Sequence, residues 1–367
     1  MHRLIFRSVV LFGLFLFLGT GSISFAGSIN SGNGNKYMVT FGESNHNYLP
    51  GSLLRIGITF KSTSTDDVHI SQQFEIVDST GIKVWDTIIN LDLLPGASTS
   101  VPFMVAVPKL SGIFSFKLSV SQENTDITVP SFQFNVIEPT KSPRLSKILV
   151  STPDSEEGLN RFLKSWDIKA PTISWGQVLL LGKKSWIQYV GGDQQIVQLI
   201  DRALKREMSV IILDIAPGDN SEDQLRKITL PYDVSMSFIK AREPEQNFIL
   251  KSDYPKLCFD LGSREMRHWN GCYGVTVPAT DLKFEGKDVK INAYATTSQN
   301  PFRFPLVELV PKNGKGKLLL SQIITEGRLD EGIKSLRAQP QLPAYDPMAV
   351  QFLLNLISQA VDDKLLK

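Results

Sequence analysis

The feature that most constrains this chain is a change of hydrophobic period at Glu138-Pro139-Thr140-Lys141-Ser142-Pro143. Before it, apolar residues recur every second position. Leu54, Ile56, Ile58 and Phe60 form one such row, Phe114, Phe116, Leu118 and Val120 another, and Phe132, Phe134 and Val136 a third. A period of two buries one face of a strand. Turn signals separate the rows: Pro50-Gly51, Ser79-Thr80-Gly81, Pro95-Gly96, Ser111-Gly112 and Asn124-Thr125-Asp126. About seven short strands at this spacing predict an immunoglobulin-like or fibronectin-type β-sandwich over residues 37–137. With no cysteine in that stretch, an antibody-type disulfide core is excluded.

After the two prolines the pattern changes. Val178-Leu179-Leu180-Leu181 and Val210-Ile211-Ile212-Leu213 are continuous apolar runs, the mark of strands covered on both faces. Between and around them the apolar spacing is helical: Leu159, Phe162, Leu163 and Trp166, then Ile196, Leu199, Ile200, Ala203 and Leu204. This βαβ rhythm predicts a mostly parallel sheet with helices on both faces over residues 147–367, with residues 138–146 as the linker. Asn313-Gly314-Lys315-Gly316 predicts a hairpin between Phe304–Val310 and Lys317–Ile324. Asp346 as N-cap and Pro347 at the first helical position open a closing helix with an inward stripe of Val350, Leu353, Leu354, Ile357 and Val361.

The N-terminus reads as an export signal. His2, Arg3 and Arg7 precede an apolar stretch from Val9 to Leu18, shorter than the roughly 20 residues that span a bilayer. Ser24-Phe25-Ala26 fits a small-residue cleavage site, which predicts a signal peptide over 1–26 and a Gly/Asn/Ser-rich lead-in over 27–36. The competing reading is an uncleaved anchor. The expectation is a periplasmic or secreted protein with no transmembrane span in the mature chain. Without Arg3 and Arg7 the 39 basic residues fall to 37, equal to the 37 acidic ones. With no basic cluster, a nucleic-acid partner is not expected.

The candidate chemistries are few. Cys258 and Cys272 are the two cysteines, and in an oxidising compartment a disulfide is the default. The alternative makes Cys272 a nucleophile with His268 as base and Glu265 as its orienter, although sequence neighbours rarely reach triad geometry. Asp154, Asp214 and Glu326 lie near strand ends, where open α/β sheets place ligands, and are the candidate carboxylates for a hydrolase. Trp85 is a candidate sugar-contacting ring, with core or edge packing as the competing reading, and Trp269 is a second candidate ligand-binding residue. No zinc, EF-hand or phosphate-loop spacing is present, so no metal or cofactor is expected.

Three segments, Gly314–Gln322, Tyr345-Asp346-Pro347 and Phe352-Leu353-Leu354-Asn355-Leu356, resemble the closing motif of glutamine-amidotransferase-like α/β domains. Tyr254-Pro255 and His268-Trp269-Asn270-Gly271 resemble a middle region of those domains. Such domains accompany secreted glycoside hydrolase family 2 (β-galactosidase-like) proteins, and the preceding sandwich resembles their sandwich modules. The resemblance covers roughly residues 147–361. It implies a flavodoxin-like, class I glutamine-amidotransferase-like sheet and an association with carbohydrate-active machinery. The chain departs from the family in two ways. It has no room for a catalytic (β/α)₈ barrel, which takes about 250 residues. At the turn after Val210–Leu213, where active amidotransferases carry a nucleophilic Cys, it reads Asp214-Ile215-Ala216-Pro217-Gly218. The expectation is an exported, non-catalytic binding or assembly protein whose partner is a carbohydrate or an envelope protein. The alternative is a glycan- or amide-directed hydrolase working in the strand-end crevice.

Overall fold

The computed structural model describes residues 25–28, 37–42, 45–118, 131–171, 176–217, 227–240, 243–261, 263, 265–271, 274–312, 316–330 and 344–362. Most of the expected signal segment, residues 29–36 of the lead-in, Val120, the Asn124–Asp126 turn and Cys272 lie outside them.

The first body is two sheets facing one core. Its strands are β1 (Phe25–Ser28), β2 (Tyr37–Phe41), β3 (Asn47–Tyr48), β4 (Leu53–Ser62), β5 (Val68–Asp78), β6 (Lys83–Leu93), β7 (Ser98–Ala106), β8 (Gly112–Leu118) and β9 (Ser131–Val136). One sheet runs β1-β2-β4-β7 and the other β3-β9-β8-β5-β6. The alternating residues expected to point inward do so: Leu54, Ile56, Ile58 and Phe60 meet Phe114, Phe116, Phe132 and Phe134 in one apolar cluster. Phe74 and Phe116 stack at 5.7 Å and Phe41 meets Phe116 edge-on at 5.5 Å, so aromatic volume fills the space between the sheets. β6 and β7 are the open edges on one side. Pro102 in β7 suits an edge, since proline has no N–H to give a neighbouring strand. The backbone of β1 pairs with β2 across the expected cleavage point, Ala26 opposite Thr40 and Gly27 opposite Val39.

The second body contains β10 (Val150–Ser151), α1 (Glu157–Ser165), β11 (Val178–Leu181), α2 (Lys183–Val190), α3 (Gln194–Lys205), β12 (Ser209–Ile212), β13 (Ile228–Leu230), β14 (Val234–Lys240), β15 (Asn247–Leu250), β16 (Glu265–Arg267), β17 (Thr280–Glu285), β18 (Val289–Thr297), β19 (Leu306–Pro311), β20 (Lys317–Ser321) and α4 (Pro347–Ala360). Its main sheet runs β10-β11-β12-β20-β19-β18-β15-β16, and β13-β14-β17 form a small separate sheet. The hairpin of β19 and β20 is antiparallel, as its turn signal predicts. The expected mostly parallel sheet is corrected to a mixed one. Among the described residues β10-β11, β11-β12 and β12-β20 pair in parallel, and the half from β20 to β16 is antiparallel.

The continuous apolar runs are covered on both sides. Val178, Leu180, Ile211, Leu213 and Leu319 pack with α1 and α4. Leu179, Leu181, Val210, Ile212, Leu318 and Leu320 pack with α3 and the small sheet. α4 differs from the one-sided helix expected. Asp346 caps it as anticipated, its Oδ1 accepting from the N–H groups of Met348 (2.8 Å) and Ala349 (3.0 Å). Yet the helix is buried on nearly every side, Gln351, Asn355 and Ser358 included. The reason is a second layer over its polar side. Asn355 Nδ2 donates to the carbonyls of Leu257 (2.9 Å) and Phe259 (2.7 Å), and Thr140 N donates to Gln351 Oε1 (2.6 Å).

That last bond belongs to residues 138–146, the expected linker, which is held along α4. Thr140 exchanges two bonds with Gln351, and the Arg144 guanidinium donates to the carbonyls of Ser358 (3.0 Å) and Val361. The segment is a strap along α4. No helix among the described residues is long and apolar enough to cross a membrane.

Candidate functional site

Four parallel strands bring their carboxyl ends to one rim. β10 leads into Thr152-Pro153-Asp154, β11 into Gly182-Lys183, β12 into Leu213-Asp214 and β20 into the turn before Glu326. Asp154 and Asp214 are separated there by β11, roughly 10 Å across the sheet. They also meet different surroundings.

Asp214 is buried, with a left-handed backbone (φ 55) that turns its carboxylate inward. Its Oδ1 accepts from the N–H groups of Thr325 (2.5 Å) and Glu326 (3.1 Å), and its Oδ2 from the Thr325 hydroxyl (2.8 Å). Burial raises its pKa to about 6, against the three donors that favour the charged form. The result is a staple between the end of β12 and the turn after β20. Glu156, which the sequence analysis did not single out, is a second staple. Its Oε1 accepts from Ser185 N (2.8 Å) and the Ser185 hydroxyl (2.6 Å). A Cβ on Gly182 would lie 2.6 Å from its Oε2, so glycine there permits the approach. Glu326, the third candidate carboxylate, stays at the surface, paired with Lys183 at 3.0 Å.

Asp154 is exposed and lines a cavity of about 530 Å³ beside the edge strand β10. Ser151, Thr152, Asn160, Lys164 and Asp167 share the lining, with Leu163, Ile168 and Pro171 as apolar wall. The Thr152 hydroxyl oxygen is buried with no hydrogen-bond partner among the described residues. Acceptors, donors and a hydroxyl thus converge on one space with an apolar side.

The remaining candidates fall elsewhere. Trp85 on β6 is half-buried against the sandwich core and meets Phe103 of β7 edge-on at 5.4 Å, closing the gap between the two edge strands. Trp269 is fully buried among Phe248, Phe352 and the Arg328 guanidinium, which corrects its assignment as a ligand-contacting ring. Cys258 is a thiol in this structure, packed on the apolar core rather than joined in the disulfide expected from the sequence. Its expected partner, Cys272, lies outside the described residues.

His268 meets the sandwich. Its ring stacks on His46 at 4.8 Å between centroids, with 29° between the planes. Beside the pair runs a buried polar seam that sequence reasoning missed. Asn270 Oδ1 accepts from the main-chain N–H groups of His46 (2.8 Å) and Asn47 (3.0 Å). Asn270 Nδ2 donates to the carbonyls of Asn47 (2.6 Å) and Tyr345 (3.0 Å). Asp346 Oδ2 accepts from Asn270 N (2.5 Å) and Asn47 Nδ2 (2.9 Å). Arg328 donates to the carbonyls of Asn270, Gly271, Ile324 and Val275. The cap of α4 is therefore also the bolt between the two bodies.

No protein-family model and no curated protein matches the chain. Partial likenesses to solved structures exist. A β-glucosidase from Listeria innocua is 17% identical, with a TM-score of 0.23 over 27% of this chain and 16% of that one. A β-glucosidase from Erythrobacter marinus is 12% identical, with a TM-score of 0.22 over 28% of this chain and 16% of that one. An alkylpurine DNA glycosylase from Pseudomonas fluorescens, bound to DNA containing an abasic site analogue, is 14% identical, with a TM-score of 0.20 over 27% of this chain and 30% of that one. The chain spans less than a third of the length of each, and at these scores the likenesses decide neither fold nor activity. Among the described residues no group of three or more His, Cys, Asp or Glu could hold a metal ion.

Proposed function

We propose that this chain is an exported, non-catalytic binding protein that works beside carbohydrate-active machinery, its first body an immunoglobulin- or fibronectin-type sandwich and its second of the glutamine-amidotransferase-like, flavodoxin-like type. The observation that carries the reading is the cavity at Asp154. The carboxylates of Asp154 and Asp167 that only accept, the Lys164 ammonium that only donates and the Ser151 and Thr152 hydroxyls that do both line it together. Sugar hydroxyls donate and accept, so a polyhydroxylated ligand can satisfy each of them, with Leu163, Ile168 and Pro171 as apolar backing.

The test is thermal unfolding of the chain from Gly27 with a panel of oligosaccharides. A ligand at one hundred times its Kd stabilises by about 2.7 kcal/mol, a rise of roughly 5–10 °C for a domain of this size. The expected result is a selective shift that Asp154→Ala abolishes. A panel without any shift overturns the carbohydrate reading.

A hydrolase remains the second reading, favoured by one observation. Burial pushes the Asp214 carboxyl, at a strand end, up to about 6, in the range of a general acid. Turnover of a glycoside or amide substrate that disappears in Asp214→Asn, with the fold intact, would replace the binding reading.

A further inference from the structure

Among the described residues, hydrogen bonds join the two bodies at two places of different chemistry. One is the strap, in which Thr140 bonds Gln351 and Arg144 bonds the end of α4. Amides and a guanidinium make these contacts, and none of them changes charge between pH 7 and 4. The other is the seam at His46, 94 positions before Thr140 of the strap and brought to the α/β body only by the fold.

At the seam, two imidazoles face each other across the boundary. His46 belongs to the sandwich, and the Phe132 ring of β9 lies 5.0 Å away on its own side. His268 comes from the α/β body, with a left-handed backbone (φ 44) and its N–H bonded to the Gln246 carbonyl at 3.0 Å. The His268 carbonyl accepts from Asn47 Nδ2 at 3.2 Å, so the ring pair and the asparagine seam are one structure. The charged groups packed around it are Asp346, bonded to Asn47 and Asn270, and Arg328, bonded to the carbonyls around Asn270.

Burial holds the His46 pKa down to about 4, helped by the neighbouring His268 and opposed only by the Gln133 carbonyl 3.4 Å from Nδ1. Parting the bodies returns water to both rings and ends their mutual repulsion, so protons favour the parted state. Asp346 acts in the opposite sense. Burial holds its carboxyl above the usual range, so the closed joint takes up that proton more readily than the parted one, and the histidine pair has to outweigh it.

We propose that this seam is an acid-operated joint: protonation of the stacked His46–His268 pair parts the sandwich from the α/β body, while the strap along α4 stays attached and acts as the hinge. The sign follows from the pair's geometry. His46 is lowered relative to a solvated histidine, so the closed joint is favoured above about pH 6.5 and loses that advantage as pH falls toward 4.

The test is hydrogen exchange on the full chain between pH 7.5 and 4.5, corrected for the intrinsic pH dependence of exchange. The amides of Asn47 and Asn270 are expected to lose about tenfold or more in protection, while those of β11 and β12 keep theirs. His46→Phe and His268→Gln are expected each to remove this acid response. Should one fail to fold, the other gives the same reading. Seam protection that stays constant down to pH 4.5 in the natural chain overturns the proposal. So does an acid response unchanged in the variants, or loss of β11 and β12 protection together with the seam, which is global unfolding.

Discussion

Asp214 at the strand ends is buried and His46 at the seam half-buried, and they answer to pH with opposite sign. Burial raises the acid to about 6 and lowers the base to about 4. Between those values and their solvated ones, the native state holds its proton on Asp214 more readily than the unfolded chain does, and on His46 less readily. Acidification therefore strengthens the strand-end region and weakens the seam. Neither residue can be given a role from its burial alone, because the same desolvation produces a stabilising proton in one place and a destabilising proton in the other.

Several substitutions sharpen or break this contrast. The largest effect is expected at the seam from Asn270→Ala, which strands the N–H groups of His46 and Asn47 and the carbonyls of Asn47 and Tyr345 in a buried setting. A loss of about 3–4 kcal/mol in denaturant unfolding is expected, against about 1 kcal/mol if the seam is wet and tolerant.

Next is Asp214→Asn. The acid's raised pKa costs stability as pH rises from about 4 through 6, up to about 3 kcal/mol at neutral pH for a shift of this size. The variant's stability, followed from pH 4 to 7, should lack that decline. If the natural chain shows no decline either, Asp214 is solvated and the contrast with His46 fails.

Gly182→Ala drives a methyl onto the Glu156 carboxylate and should cost about 1–3 kcal/mol, relieved in part by Glu156→Gln only if the clash is electrostatic rather than steric. The smallest effect is expected from Lys183→Ala. Its pairing with Glu326 is half in solvent, and a change of about 0.5 kcal/mol or less in thermal unfolding would class it with ordinary surface pairs.

Local chemistry made part of this legible in advance. Rows such as Leu54, Ile56, Ile58 and Phe60 report which face is buried whatever the partner strand is, and Asp346-Pro347 signals a helix start through its own backbone. The antiparallel half of the sheet was not legible, because β15, β16 and β18 are short or interrupted and owe their pairing to strands far along the chain. The seam was not legible either, since nothing local to Asn47 or Asn270 shows that positions 223 apart will satisfy each other. At the candidate site, Asp154 and Asp214 were found by their place after strands. Their different fates depend on Thr325 and Glu326, which arrive from β20.

The all-round burial of α4 has a consequence for the order in which the chain can assemble. The sandwich has its last strand by residue 136, so it can fold while the rest is still being synthesised. The α/β body cannot complete its core until residues 347–360 have been made, because β10, α1 and β11 share one apolar cluster with α4. Closing contacts over 200 positions, such as Thr140 to Gln351, is entropically slow. A nascent chain should therefore carry a finished front and an open rear, and whatever guards it against aggregation has to shelter the rear until residue 360 emerges.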